Sequence, residues 1–276
     1  MAQLGQFPQY DGMTTTPERR KAAQEEIARA LQSRHHAYVL HYVGESFETP
    51  AYRVTAIAAR NLGTGVTESF DIENTLRGLA IEPSTASAAE LDLAERRMLE
   101  AFFKFVRERK NFYWLHWNMR NSAFGFQGLE NRVRALGGRS TIIPESQRVD
   151  LGARMVDLFG DNYAHPTNRL RSLANRNQLP LPHLLDGPQQ AEAVQRHDYA
   201  AATRSLLNRV DVMYAVATKA HEGSLKTRAS LRDRIAGSGG FIKWAKEHPV
   251  VMVFAIASPV VGAIVAGLKL WQMLRH

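Results

Sequence analysis

One short stretch of the chain brings together three polar side chains that are typical of ligand sites. His116 and Asn118 follow the aromatic and branched residues 112–115, and Arg120 comes two positions later. At the carboxyl end of a strand, where sheets with helical crossovers bind their ligands, these groups would contact a nucleotide or a phosphate. They would equally well hydrogen-bond the following loop, because buried polar groups need partners in either case. The sequence predicts His116, Asn118 and Arg120 as ligand-binding residues and leaves the structural role open.

Other reactive side chains have simpler explanations. His35, His36 and His41 have no carboxylate or cysteine beside them to complete a metal-ligand set, so we predict no metal site. The chain has no cysteine, which excludes thiolate chemistry and disulfides. Aromatic residues at 112–126 would stack on bases in a single-strand binder, but their alternation is more typical of a core strand. The motifs of phosphate loops, nucleophile elbows and zinc proteases are missing from the sequence.

The composition is typical of a folded protein with an excess of basic residues. The 276 residues are 45% hydrophobic and 22% charged, enough for one large domain or two small ones. The 35 Lys and Arg exceed the 27 Asp and Glu, which gives a net charge of +8. This excess favours an anionic partner such as nucleic acid or acidic lipid.

The elements that would position the polar stretch alternate between strands and helices. A helix is predicted from Pro17, after an N-cap at Thr16, to about residue 34. Strands at 37–43, 52–58 and 66–72 then predict an antiparallel meander. A capping box formed by Ser87 and Glu90 opens the next helix, and a strand at 112–116 can pair in parallel after that crossover. We further predict a helix at 124–136, a fifth strand around 141–143, and a mainly helical remainder.

This order of elements resembles the ribonuclease-H-like fold. The run 112–118, followed by Phe124 and Leu129, resembles the second motif of the DEDD-type exonucleases. Residues 170–174 resemble a segment between motifs of that family, and residues 197–199 with 205–216 resemble its final helix. The resemblance covers roughly residues 37–220. It implies an α/β domain over 37–220 with a mixed sheet, a three-strand meander plus parallel strands flanked by helices, after an N-terminal tail and helix at 1–36.

The chain departs from that family where the family binds metal. Four carboxylates hold two divalent cations in these exonucleases. Here His41 and Val43 stand where acids should point from the first strand, and Gly125 replaces the acid that follows phenylalanine. The resemblance leaves Glu45 and Asp198 as the catalytic candidates. One or two carboxylates would hold two cations weakly, so an eroded site without metal is implied, and Mg²⁺ would be the cofactor only of an active nuclease.

The end of the sequence differs from the rest. Residues 249–268, 20 in all, contain no charged side chain, and a helix of that length is about 30 Å long, the thickness of the hydrocarbon core. Trp244 and Trp271, with lysines beside them, flank this run at both ends. We predict a transmembrane helix at 249–270 after a basic juxtamembrane linker at 221–248; a buried core helix is the alternative. The positive-inside rule then leaves the N-terminal domain in the cytoplasm, on a single-pass protein of the inner membrane.

Together these features predict a membrane-anchored cytoplasmic protein with an exonuclease-like domain that has lost its catalytic site. Such a protein would act as an effector that senses nucleic acid, a nucleotide or a protein partner at the membrane, for example in bacterial antiviral defence, and the chain could assemble as a homo-oligomer. Two alternatives stay open. One is an active metal-dependent 3′–5′ exonuclease tethered to the membrane, and the other is a protein-interaction scaffold.

Overall fold

A five-stranded mixed sheet forms the centre of the domain in the computed structural model, which describes residues 15–45, 52–120 and 124–228. The strand order is β3-β2-β1-β4-β5. β1 is antiparallel to β2 and β2 to β3, whereas β4 runs parallel to β1 and β5 parallel to β4. The predicted mixed α/β sheet of a meander and parallel strands is therefore confirmed. The strands are β1 Ala37–Gly44, β2 Val54–Asn61, β3 Thr67–Asp71, β4 Tyr113–His116 and β5 Arg148–Asp150.

Helices flank the sheet, and several begin where the sequence predicts. Thr16 caps the first helix through a bond from the Arg19 amide, and Ser87 and Glu90 form the predicted capping box. None of the helices in the described ranges combines the length and the hydropathy of a membrane span. The transmembrane helix predicted at 249–270 and the linker beyond residue 228 lie outside the described residues. The helices are α1 Pro17–Gln32, α2 Ile72–Gly78, α3 Ala88–Arg107, α4 Phe126–Ala135, α5 Leu151–Phe159, α6 Arg169–Arg176, α7 Gly187–Gln195 and α8 Tyr199–His221.

The predicted position of the fifth strand was wrong. Residues 141–143 form no strand, and β5 is Arg148–Asp150. The β-branched run instead packs beside α3, where the Thr141 hydroxyl donates to the Phe103 carbonyl and Ile143 is buried. The Ile143 carbonyl accepts a bond from the Arg148 side chain, so this segment leads into β5 without joining the sheet.

Both faces of the sheet are covered. The seven residues at 37–43 of β1 are all buried, as expected for a central strand with helices on both sides. Val39 and Val43 belong to the core under α1, α5 and α8, and Leu40 and Tyr42 to the core under α3 and α4.

β1 extends beyond its parallel neighbour, and this difference in length places the site. β4 pairs with β1 only from Ala37 to Val39, which leaves residues 40–43 of β1 without a strand on that side. The loop after β4 occupies the space. The Phe124 ring stacks on Tyr42 with centroids 4.6 Å apart, and the Gly125 amide donates to the Tyr42 hydroxyl at 2.9 Å. The polar residues that follow β4 thus gather at the carboxyl edge of the sheet.

Candidate functional site

The carboxyl ends of β4 and β5 bring together polar side chains that are distant in sequence. The parallel register places His116 opposite Asp150. We define the carboxyl-edge site as His41, His116, Asn118, Arg120 and Asp150. Three of these, His116, Asn118 and Arg120, are the ligand-binding residues predicted from the sequence, and they do lie close to one another.

Asp150 connects the parts of the site. Its Oδ1 accepts the amide of Asn118 at 3.2 Å and, as the N-cap of α5, the amide of Ala153 at 3.2 Å. Its Oδ2 forms an ion pair with Nε of Arg120. Only 8% of the residue is exposed. A carboxylate at a helix N-terminus beside a guanidinium has its charge balanced on both sides.

Asn118 is partly exposed and Arg120 is exposed. Asn118 has a φ of 55°, a left-handed conformation that asparagine tolerates better than most residues. Its Oδ1 lies so close to Gly152 that a Cβ there would come within 2.4 Å of it. The side chain of Arg120 is 39% exposed while its Nε holds Asp150. A carboxamide and a guanidinium that stay partly exposed can bind an anion.

His116 is a buried, neutral histidine. Its Nδ1 accepts the Met119 amide at 3.2 Å, which places the ring proton on Nε2. Burial lowers the pKa of His116 to about 4, against a smaller opposing effect of Asp150. Although Nδ1 lies 4.0 Å from Asp150 Oδ2, a neutral ring forms no ion pair there. The ring meets Phe126 edge to face at 5.3 Å.

His41 is held in a similar state on the neighbouring strand. Its Nδ1 lies 2.9 Å from the Tyr42 carbonyl and donates to it. Burial lowers the pKa of His41 to about 3, and the positive charge of Arg209 contributes to the shift. Both histidines are therefore uncharged near neutral pH. Neither has the pKa near the working pH that general acid–base catalysis favours.

Arg209 on α8 is a functional candidate that the sequence analysis missed. Its Nη2 donates to the Leu185 carbonyl at 3.3 Å and to Gln190 Oε1 at 3.1 Å. Within the described part of the chain its buried Nε has no hydrogen-bond partner and no carboxylate pairs with it. Burial lowers the pKa of Arg209 to about 10, and the positive charge of Arg171 makes a smaller contribution in the same direction. One arginine inside an amphipathic helix gives no sequence signal of this kind.

The two catalytic candidates from the sequence have other partners. Glu45 pairs with Arg53 at 2.6 Å, in an ion-pair network that continues to Asp92. Asp198 is exposed, and its Oδ1 caps α8 by accepting the Ala201 amide at 3.0 Å. Among the described residues, no hydrogen bond or ion pair joins Glu45 or Asp198 to the carboxyl-edge site.

The donor set of the carboxyl-edge site does not fit two divalent cations. Asp150 is its only carboxylate; Oδ1 accepts two backbone amides, and Oδ2 forms the ion pair with Arg120. Mg²⁺ prefers oxygen ligands, and two such ions need several carboxylates to balance their charge. Over the three described ranges, no group of three or more His, Asp or Glu side chains converges to hold a metal. The partly exposed side chains of Asn118 and Arg120 carry N–H donors, which suit an anion instead.

Comparison with known proteins adds no identification. No protein-family model, no curated protein and no solved structure matches the chain.

Proposed function

We propose that the domain has a ribonuclease-H-like fold whose carboxyl-edge site binds the phosphates of nucleic acid without hydrolysing them. The strand order β3-β2-β1-β4-β5, with two antiparallel and two parallel pairings, supports that fold. The proposal further holds that residues 249–270 anchor the domain to a membrane, where it acts as a nucleic-acid-sensing effector, for example in antiviral defence.

One observation carries the binding proposal. Asp150, at the carboxyl end of β5, forms an ion pair with Arg120 and accepts hydrogen bonds from the amides of Asn118 and Ala153. The same arrangement holds a guanidinium and a carboxamide at the edge of the sheet, partly exposed. Arginine binds phosphate through paired N–H donors, and such charge-assisted bonds are stronger than neutral ones.

The mode of binding follows from which groups are exposed. Trp114, Trp117 and Phe126 are buried in the two cores and cannot stack on bases. Contact through Arg120 and Asn118 reaches phosphate oxygens, which carry no sequence information. We therefore expect binding that depends little on base sequence and weakens as salt is raised.

A binding assay tests this directly. Full-length protein in neutral detergent is titrated into a fluorescein-labelled single-stranded oligonucleotide, and anisotropy is followed. Arg120→Gln should weaken binding about tenfold, the effect of losing one charge-assisted hydrogen bond. Arg139→Gln is the matched control, because Arg139 is exposed and its replacement removes the same charge from the loop after α4. Equal affinities of the two variants would refute the role of Arg120.

The nuclease alternative is tested with the same oligonucleotide. Incubation with Mg²⁺ or Mn²⁺ should leave it intact. Cleavage by the unaltered chain that is lost in both Asp150→Ala and Glu45→Ala would show that carboxylates of this domain do hold catalytic cations, and the non-catalytic proposal would fail.

The anchor is tested by truncation. A chain ending at Gly239 lacks the uncharged run at 249–268. It should stay in the supernatant when membranes are sedimented, while the full-length chain should pellet with them and resist extraction by salt. If both chains fractionate alike, residues 249–270 are not an anchor.

A further inference from the structure

A basic cavity lies beside α6 and shares no lining residue with the carboxyl-edge site. It has a volume of about 660 Å³ and is lined by polar and basic residues, with no carboxylate among those described. The volume lies in the range of about 300–1,000 Å³ that is usual for small-molecule sites. We name it the arginine groove and define it by Asn168, Arg171, Asn175, Arg176 and Arg228.

The first wall of the groove is one face of α6. Asn168, Ser172 and Asn175 follow each other at helical spacing and so lie on the same side of the helix. Asn168 is the N-cap and accepts the Arg171 amide at 3.3 Å. The Ser172 hydroxyl accepts the His165 amide at 3.0 Å, which ties the preceding loop to the helix. These bonds hold the wall in place.

The second wall is the segment that follows α8. Asn177 exchanges two hydrogen bonds with the backbone of Lys226, each 2.9 Å long. The Arg228 amide donates to the Tyr163 carbonyl at 2.8 Å. The backbone at Arg228 is therefore fixed next to α6, while its side chain is exposed.

The groove carries positive charge that the described residues do not neutralise. The adjacent Arg169 pairs with Asp161, but within the described ranges none of the three groove arginines forms an ion pair. Arg171 donates to the Leu184 carbonyl, and the buried Arg209 donates to the next carbonyl along the chain. Repulsion from Arg171 adds to burial in lowering the pKa of Arg209. Unpaired charges in partly buried positions are costly, and an anion bound beside Arg171 would offset that cost.

We propose that the arginine groove binds the phosphate group of a small phosphomonoester through Arg171, Arg176 and Arg228. Three guanidiniums supply more N–H donors than a phosphate dianion can accept, and their planar geometry suits paired bonds to its oxygens. Asn168 and Asn175 add carboxamides that can contact the rest of the molecule. The phosphate could belong to a soluble nucleotide or to the headgroup of an acidic lipid, which share this chemistry.

Calorimetric titration of the full-length chain in neutral detergent tests the proposal. The probes are adenosine 5′-monophosphate, inorganic phosphate and dihexanoyl phosphatidic acid, with dihexanoyl phosphatidylcholine as the lipid without a phosphomonoester. Arg176→Gln and Arg228→Gln should each weaken phosphomonoester binding about tenfold, and both together about a hundredfold. Both side chains are exposed, so the variants should unfold at the same temperature as the unaltered chain.

The control is Arg139→Gln, which removes one exposed arginine outside the groove and should bind like the unaltered chain. Binding of the monophosphate that the groove variants lose identifies a soluble ligand. Binding of phosphatidic acid alone, lost in the same variants, identifies a lipid headgroup. The proposal is overturned if no phosphomonoester binds, or if the groove variants bind as well as the control.

Discussion

Replacing Asp150 should show that this carboxylate holds the site together. Asp150→Ala removes the N-cap of α5, worth about 1 kcal/mol. It also removes the acceptor of the Asn118 amide, worth about 1 kcal/mol. The ion pair with Arg120 adds less than about 1 kcal/mol, because that guanidinium is 39% exposed and screened by water. The free energy of unfolding should fall by about 2–3 kcal/mol.

Asp198→Ala is the matched control for the cap alone. Asp198 caps α8 in the same way, through the Ala201 amide, but it is exposed and has no second role in the described structure. Its replacement should cost about 1 kcal/mol. Asp150→Asn keeps an oxygen that can accept the two amide bonds, so it should cost only about 1 kcal/mol through the lost charge.

Urea unfolding of the full-length chain in neutral detergent measures all three variants. Tryptophan fluorescence reports on the domain, because Trp114 and Trp117 are buried on opposite faces of the sheet. If Asp150→Ala loses no more stability than Asp198→Ala, Asp150 contributes nothing beyond its cap and does not hold the site together.

Three further predictions concern buried groups. The pKa of His116 is about 4 in the folded protein, against an ordinary value of 6.5. The free energy of unfolding should therefore fall as the pH drops from about 6.5 to about 4, by up to about 1.4 kcal/mol per pH unit, because the unfolded chain takes up the proton first. Unfolding at stepped pH should show a shallower slope for His116→Asn. Gly152→Ala should cost about 1–3 kcal/mol and weaken oligonucleotide binding, because its Cβ would displace Asn118. Arg132→Met should cost about 2–3 kcal/mol in urea unfolding, because it removes the bidentate partner of the fully buried Glu95 while the Val54 amide and a longer ion pair with Arg53 remain.

Each of these has a control or a contrary outcome. Gly78→Ala meets open space at the end of α2 and should not destabilise the domain; an equal loss for Gly152→Ala and Gly78→Ala would contradict the close approach. Arg96→Met breaks a half-exposed pair with Glu100 and should cost less than about 0.5 kcal/mol. A pH slope that is unchanged in His116→Asn would assign the acid sensitivity to other groups, of which His41 is the first to test.

The sequence by itself predicted the parts of the fold that depend on neighbouring residues. The apolar run of β1, the N-cap Thr16 and the capping box of Ser87 and Glu90 are short-range patterns, and the structure contains each of them. The meander and the parallel β4 also followed from the order of elements, because a helical crossover permits parallel pairing. His116 and Asn118 were predicted together because one strand end carries both.

Only the tertiary structure decided which distant residues meet. β5 lies later in the chain than the predicted run at 141–143. Residues Arg148–Asp150 pair with β4, whereas the earlier residues pack beside α3. Asp150 accepts the amide of Asn118, 32 residues away in the sequence. Arg171 lies close enough to Arg209 on α8 for its charge to lower the pKa of Arg209. The burial and the electrostatic environment of these residues arise from several elements that pack together in the folded domain. A local pattern of residues in the sequence does not predict them.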